Sequence, residues 1–399
     1  MSVMGVWMWP QSVRVYGAKT VVSRCIRIGV TDIFFLAKGL AGTTAHLSQC
    51  APACCERDLL RELLEEAHKQ GIRVHAWLTS ASDEHYKALH PASGRVHITR
   101  GADKGLISLS DDGYITYMQQ IVSELCSAYD IDGLHLDYIR YNHLLYGWSD
   151  DDCARYEASG ADLNLLRSLM QRTFLRDADN EPDCIFDALR AGNESVRALA
   201  KTRREDVVRF AQALTSTIRA ERSNLTLSAA LMPEGAYDDT TFSDLHYGQN
   251  YDDAAKLYDV VLPMAYSKAY EKDADWIKSV AHGTIRRGLK TIMGLHAYDG
   301  GTAASLKADI AALEETAIKG ICLFREGAFA AAIPDNGRLY LINMLEKPIT
   351  SLVSSDGHPL LPFGKTIAPG EEIILQGDTD VLSAFSGEDE VCVFIPEQK

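Results

Sequence analysis

A short apolar run followed by a longer amphipathic segment recurs about eight times between residues 3 and 324, and this alternation limits the chain more than any other feature. Strands that are apolar on both faces need cover on both. Helices that return the chain to the same edge provide it, so the pattern dictates a parallel sheet with crossover helices. Eight such units close into an α/β fold, the (β/α)8 TIM barrel. The predicted strands cover 3–9, 32–37, 73–78, 133–136, 225–231, 260–266, 291–295 and 320–324.

Helices are expected between them. One covers about 18–28; Leu59, Leu60, Leu63, Leu64 and Ala67 recur at helical spacing in the next, and Gly71 stands where a glycine ends a helix. Ile115, Met118, Val122 and Leu125 mark a helix over 114–129, with Ser110 or Asp111 as its cap. Val207, Phe210, Ala211, Leu214 and Ile218 mark another, and a last helix over about 337–345 would close the barrel. Residues 80–110 read as a long polar loop. Residues 142–201 read as an insertion, charged at Ser149-Asp150-Asp151-Asp152 and at Arg176-Asp177-Ala178-Asp179-Asn180. A segment that follows a barrel strand lies on the catalytic face, so this insertion should roof or wall a cleft. From Pro348 onward short apolar runs alternate with Gly, Pro and Asp. The expected organisation is a catalytic barrel over 1–347 with a small C-terminal β appendage over 348–399.

Charge narrows the partners. Lys and Arg number 40 against 55 Asp and Glu, a formal net charge of −15. Nucleic acid and anionic membranes recruit the opposite balance, so neither is expected, and neutral or cationic ligands fit better. No apolar run approaches the roughly 18 residues of a membrane span. The 9 cysteines are odd in number and irregularly spaced, matching neither a disulfide framework nor a metal-ligand pattern. The apolar N-terminal stretch is too short for a secretory signal, and together these features predict a cytoplasmic protein. Oligomeric state is not specified.

The strand ends carry the chemistry. Cleaving a glycosidic bond takes two carboxyl groups, one to protonate the leaving oxygen and one to attack or to activate water. Asp137, Glu234 and Glu326 follow the fourth, fifth and eighth predicted strands and are the candidate catalytic residues. Sugar rings stack on aromatic side chains, and Trp7, Trp9, Trp77, Tyr138 and Tyr266 lie at or near strand ends, although a barrel core plugged by large residues is an equal use for each. Lys38, Arg140, Arg204 and His296 are candidate hydrogen-bond donors to substrate. His75 and His135 complete the substrate-binding set. His135-Leu136-Asp137, with His75 and His296, also raises a metallohydrolase reading, but barrel metal sites usually take two histidines from the first strand, which has none here. No metal and no cofactor are expected.

Asp132-Gly133-Leu134-His135-Leu136-Asp137-Tyr138-Ile139-Arg140-Tyr141 resembles the D-G-I-H-x-D-Y-I-R-Y-P signature of the bacterial glycoside-hydrolase-like TIM-barrel family, the family-10-like group. Leu109-Ser110-Asp111 with Tyr117, Ile121 and Val122, the segment from Arg203 to Phe210, and Asp259 to Tyr266 are similar to further stretches of that family. The resemblance implies a carbohydrate substrate and places Asp137 at the centre of the site. It covers most of the barrel and none of the appendage. Asn142 stands where the family has proline, and the tryptophans usual before Arg203 are absent. Against the chitinase pattern D-G-x-D-x-D-x-E, Ile139 occupies the place of the acid, so the acid must come from another strand, with Glu234 and Glu326 the first choices. The leading expectation is a glycoside hydrolase; the alternatives are a carbohydrate-binding barrel without activity and a metal-dependent hydrolase.

Overall fold

A computed structural model of the chain describes residues 2–175, 183–335, 337–354, 356–376 and 382–396. Eight parallel strands form the barrel: β1 (Val3–Met8), β2 (Asp32–Lys38), β3 (Arg73–Thr79), β4 (Gly133–Asp137), β5 (Thr226–Leu231), β6 (Val260–Ala265), β7 (Ile292–His296) and β8 (Gly320–Phe324). They close in the order β1-β8-β7-β6-β5-β4-β3-β2. The fold is the α/β TIM barrel, and all eight strands fall where the apolar runs predict them.

Its interior is filled by side chains. Trp7, Phe34, Trp77, Leu262, Ile292 and Cys322 form one buried cluster, and register sets Trp7 beside Phe34, Phe34 beside His75 and Trp77 beside His135. Rings this large need room opposite. A Cβ on Gly294 would stand 2.8 Å from the Trp7 ring, and one on Gly133 would stand 2.3 Å from Nδ1 of His75. Glycine is the residue that lets these strands carry the aromatic plug.

Outside the barrel, the helices are amphipathic as expected. Leu59–Lys69 buries Leu59, Leu60, Leu63, Leu64 and Ala67, and Gly71 follows with φ of 72°. Asp112–Ala128 is capped by Asp111, whose carboxylate accepts the Tyr114 N–H at 2.7 Å. The insertion holds the helices Asp150–Ala158, Leu163–Met170 and Cys184–Arg190, and residues 176–182, including the whole second charged run, lie outside the described residues. The first charged run is a helix start: Ser149 and Asp152 form a capping box, and acidic groups there oppose the positive end of the helix. These helices share their own apolar core, with Leu144, Trp148, Tyr156, Leu166 and Ile185 fully or nearly fully buried. They rest on the first half of the helix Glu194–Glu221, about 42 Å long at 1.5 Å per residue, whose second half packs on the barrel. Arg203, on that helix, is completely buried and donates to the carbonyls of Leu245, Tyr146, His143 and His246 at 2.9, 2.7, 3.3 and 2.9 Å.

Two regions differ from expectation. The stretch 80–110 is not a bare loop but holds the helix Glu84–Leu89 and a hairpin of Gly94–His97 with Gly101–Ile107. The closing helix expected over 337–345 is a strand. Leu339 and Leu341 point inward while Arg338 and Tyr340 do not, a period of two that the apolar content of the segment conceals. The C-terminal strands are β9 (Ala330–Asp335), β10 (Arg338–Asn343), β11 (Ser351–Ser354), β12 (Glu372–Gln376), β13 (Leu382–Ser386), β14 (Asp389–Val391) and β15 (Val393–Phe394). They form sheets in the orders β12-β10-β9-β15 and β11-β13-β14. Strands from both sides of Pro348 thus share one sheet. Among the described residues no helix is long and apolar enough to cross a membrane.

Candidate active site

Asp137 ends β4. The next residue, Tyr138, has φ of 58°, a left-handed conformation that costs a non-glycine residue about 1 kcal/mol and turns the chain sharply off the strand. That turn folds the Tyr138 N–H back onto Asp137 Oδ1 at 2.6 Å, while Trp77, at the end of β3, donates its indole N–H to Oδ2 at 3.2 Å. Asp137 is 5% exposed and has no ion-pair partner among the described residues. Burial raises its pKa, opposed by the charge of Arg140 and by these two hydrogen bonds.

Glu234 follows β5, in the single turn Pro233–Ala236. Its carboxylate accepts hydrogen bonds from two phenols, Tyr247 at 3.3 Å and Tyr270 at 3.2 and 3.4 Å. Burial raises its pKa as well, against its own backbone N–H, the two tyrosines and Arg140. Tyr270 stacks on Trp276 with ring centres 5.1 Å apart, and the Trp276 indole donates to the Tyr237 hydroxyl at 2.7 Å. An aromatic wall therefore runs outward from Glu234.

Arg140 lies between the two carboxyls electrostatically, and its charge acts on both. The guanidinium carbon stands 5.0 Å from the centre of the Tyr138 ring and 5.9 Å from that of Tyr247. Tyr266 feels the charge of Asp137, and its ring meets those of His296, Tyr298 and Phe324 at 6.2, 5.8 and 5.6 Å. His296 stacks on Tyr298 at 3.8 Å and places Nε2 2.9 Å from the Asp299 carbonyl. Asp137, Glu234, Trp77, Tyr138, Arg140, Tyr266 and His296 thus gather at the mouth of the barrel.

The other predicted site residues lie elsewhere. Trp7 is buried in the barrel and donates to Nε2 of His135 at 3.1 Å; Nδ1 of His135 pairs with the Ser228 hydroxyl at 2.9 Å, which fixes the imidazole as a neutral acceptor toward Trp7. His135 therefore makes no bond to Asp137. His75 pairs with Asp32 at 2.9 Å near the opposite end of the barrel. Glu326 is 1% exposed, turned away beneath the first helices, where it accepts from Ser12 and feels Arg24. Lys38 is fully buried against Asp83 at 3.0 Å. Arg204 pairs with Asp253 on the flank, beside a groove of about 1090 Å³ along the helix Glu194–Glu221 that the mouth residues do not line. Among the described residues no three His, Cys, Asp or Glu side chains group so as to hold a metal ion, and no disulfide is formed.

Tyr247, Tyr270, Trp276 and Tyr237 were not predicted. Each sits in a loop or on a helix surface, where sequence carries no periodicity to mark it; the one available signal was Tyr270, one helical turn beyond Tyr266.

Residues 53–286, more than half of the chain, match the model of the family described as glycosyl hydrolase-like 10. The chain belongs to the glycosyl hydrolase-like 10 family. This agrees with the resemblance of the β4 motif, and the matched region holds both Asp137 and Glu234. Among solved structures, the PgaB (BpsB) glycoside hydrolase domain from Bordetella bronchiseptica superposes with a TM-score of 0.63 at 15% identity, over 82% of this chain and 94% of that one. Alpha-L-fucosidase isoenzyme 2 from Paenibacillus thiaminolyticus gives 0.57 at 14% identity, over 82% and 46%. Beta-galactosidase from Marinomonas ef1 gives 0.58 at 12%, over 81% and 54%. At these identities the likeness is one of fold. No curated protein matches the chain.

Proposed function

We propose that the protein is a glycoside hydrolase acting on an oligosaccharide or glycoconjugate, with Asp137 and Glu234 as its two carboxyl groups. The observation that carries this reading is that these two acids, following adjacent strands β4 and β5, stand at the mouth, Asp137 buried and Glu234 half-buried, without ion-pair partners among the described residues, each steered instead by neutral donors. Asp32, Asp83 and Asp206, by contrast, each pair with a cation.

In this mechanism Glu234, whose proton affinity is raised by burial, donates its proton to the leaving glycosidic oxygen. Asp137, ionised, faces the positive charge that develops at the anomeric carbon, as nucleophile or as the base for water. Its N–H donors and Arg140 favour the ionised form, opposing the larger effect of burial. Tyr138, Tyr266 and the wall from Tyr270 to Trp276 offer the ring faces that saccharides stack on. Activity should fall at low pH as Asp137 takes up a proton and at high pH as Glu234 loses one, giving a bell.

Reducing-end release across a glycan panel tests the reading. Asp137→Asn should lose at least about a thousandfold in kcat, a value in the range for a positioned acid or base, with unchanged circular dichroism, and Glu234→Gln should lose the alkaline limb. Full activity in Asp137→Asn refutes the assignment. A wild-type protein that binds sugars calorimetrically but releases nothing is a binding barrel instead.

A further inference from the structure

Arg140 is half-buried, yet its side chain makes no hydrogen bond and no ion pair among the described residues, and its Nε is shut off from solvent without a partner. The nearby acids do not bond to it; their oxygens accept instead from Trp77 and Tyr138 on one side and from Tyr247 and Tyr270 on the other. Other cations near the strand ends are occupied. Lys38 pairs with Asp83, Arg204 with Asp253, and Arg325 lies over Trp9 and reaches Glu346 at 3.4 Å. The Nη groups of Arg140, which are not closed off from solvent, lack partners as well, and a bound ligand can supply them.

We propose that Arg140 receives the carboxylate of a sugar, so that the site takes a saccharide containing uronic acid units. The inference rests on the glycosidase reading and narrows its substrate. The two Nη groups of a guanidinium present a planar fork that matches both oxygens of a carboxylate, where a hydroxyl would satisfy one arm. The Tyr138 and Tyr247 rings flank the group, so less side-chain freedom is lost on binding. The overall charge of −15 does not oppose this, since exposed charges are screened beyond about 8 Å at physiological salt.

Calorimetry on the Asp137→Asn protein, which holds ligand without turnover, tests the proposal with pairs of short gluco-, galacto- and mannuronate oligomers and their carboxyl-reduced neutral counterparts. At least one uronate should bind ten times or more tighter than its counterpart. Arg140→Gln in the same background should erase that preference, Arg140→Lys should keep part of it, and rising salt should weaken it; thermal melting confirms that each variant is folded. Equal binding of the neutral counterpart, a preference that survives Arg140→Gln, or no binding by any pair overturns the proposal. If wild type shows the Arg140-dependent preference but releases no reducing ends, the glycosidase reading fails and this one stands.

Discussion

Lys38 ends β2, the place from which a barrel residue ordinarily meets substrate, but its ammonium and the Asp83 carboxylate are both completely shielded from solvent. Nζ lies 3.0 Å from Asp83 Oδ2 and 2.9 Å from the Ser82 carbonyl, with the Tyr114 hydroxyl at 3.4 Å and the Thr79 carbonyl at 3.5 Å. Removing one member of a buried pair leaves the other charge uncompensated, at about 3–5 kcal/mol. Lys38→Met fills the same volume and strands Asp83. Asp83→Asn strands Lys38 while keeping an oxygen for the Tyr86 N–H, which Asp83 Oδ1 caps at 2.6 Å. Each single change should therefore lower stability by about 3–5 kcal/mol, and the double variant, with neither charge, by less than about 2 kcal/mol. Urea unfolding followed by tryptophan fluorescence measures all three. At low denaturant the folded Lys38→Met enzyme should keep its KM. Single losses below about 1 kcal/mol that simply add, or a stable Lys38→Met with raised KM, would refute the buried-pair reasoning and return Lys38 to the substrate.

Tyr270→Phe removes a donor that favours ionised Glu234, so the alkaline limb of the activity profile should move to higher pH; a phenol that only packs would change melting temperature and leave the limb in place. Gly133→Ala pushes a methyl to 2.3 Å from His75 Nδ1 and 2.6 Å from the Thr226 carbonyl. Overpacking of that kind should cost about 3 kcal/mol or more, read as a lowered urea midpoint or as insoluble protein.

The eight strands were legible because each is a continuous apolar run bounded by polar turns, and Asp137 was legible because no core strand has use for an acid at its end. Trp7, His75 and His135 show where sequence falls short. Strand position tells that a side chain points inward but not which neighbours it meets there, and these three serve the interior while Trp77, two residues beyond His75 and level with His135, reaches Asp137. Glu326 fails for a related reason. The chain turns directly after Phe324, and the carboxylate goes to Ser12 rather than to the mouth. The phenols on Glu234 could not be read at all, since they meet it from residues 13 and 36 positions away. The β10 strand was missed because a run apolar at nearly every position fits helix and strand alike.

The long helix Glu194–Glu221 belongs to two cores at once, and Arg203 fastens it to four carbonyls from the insertion and from the segment that delivers Tyr247. An insertion anchored this way is not an interchangeable part. Grafting the 142–201 segment of a relative onto this barrel would succeed only if the recipient's arginine found the same carbonyls. Diversification of this region should therefore proceed by exchange of side chains on a fixed backbone, or by replacing insertion, helix and the loop after β5 together.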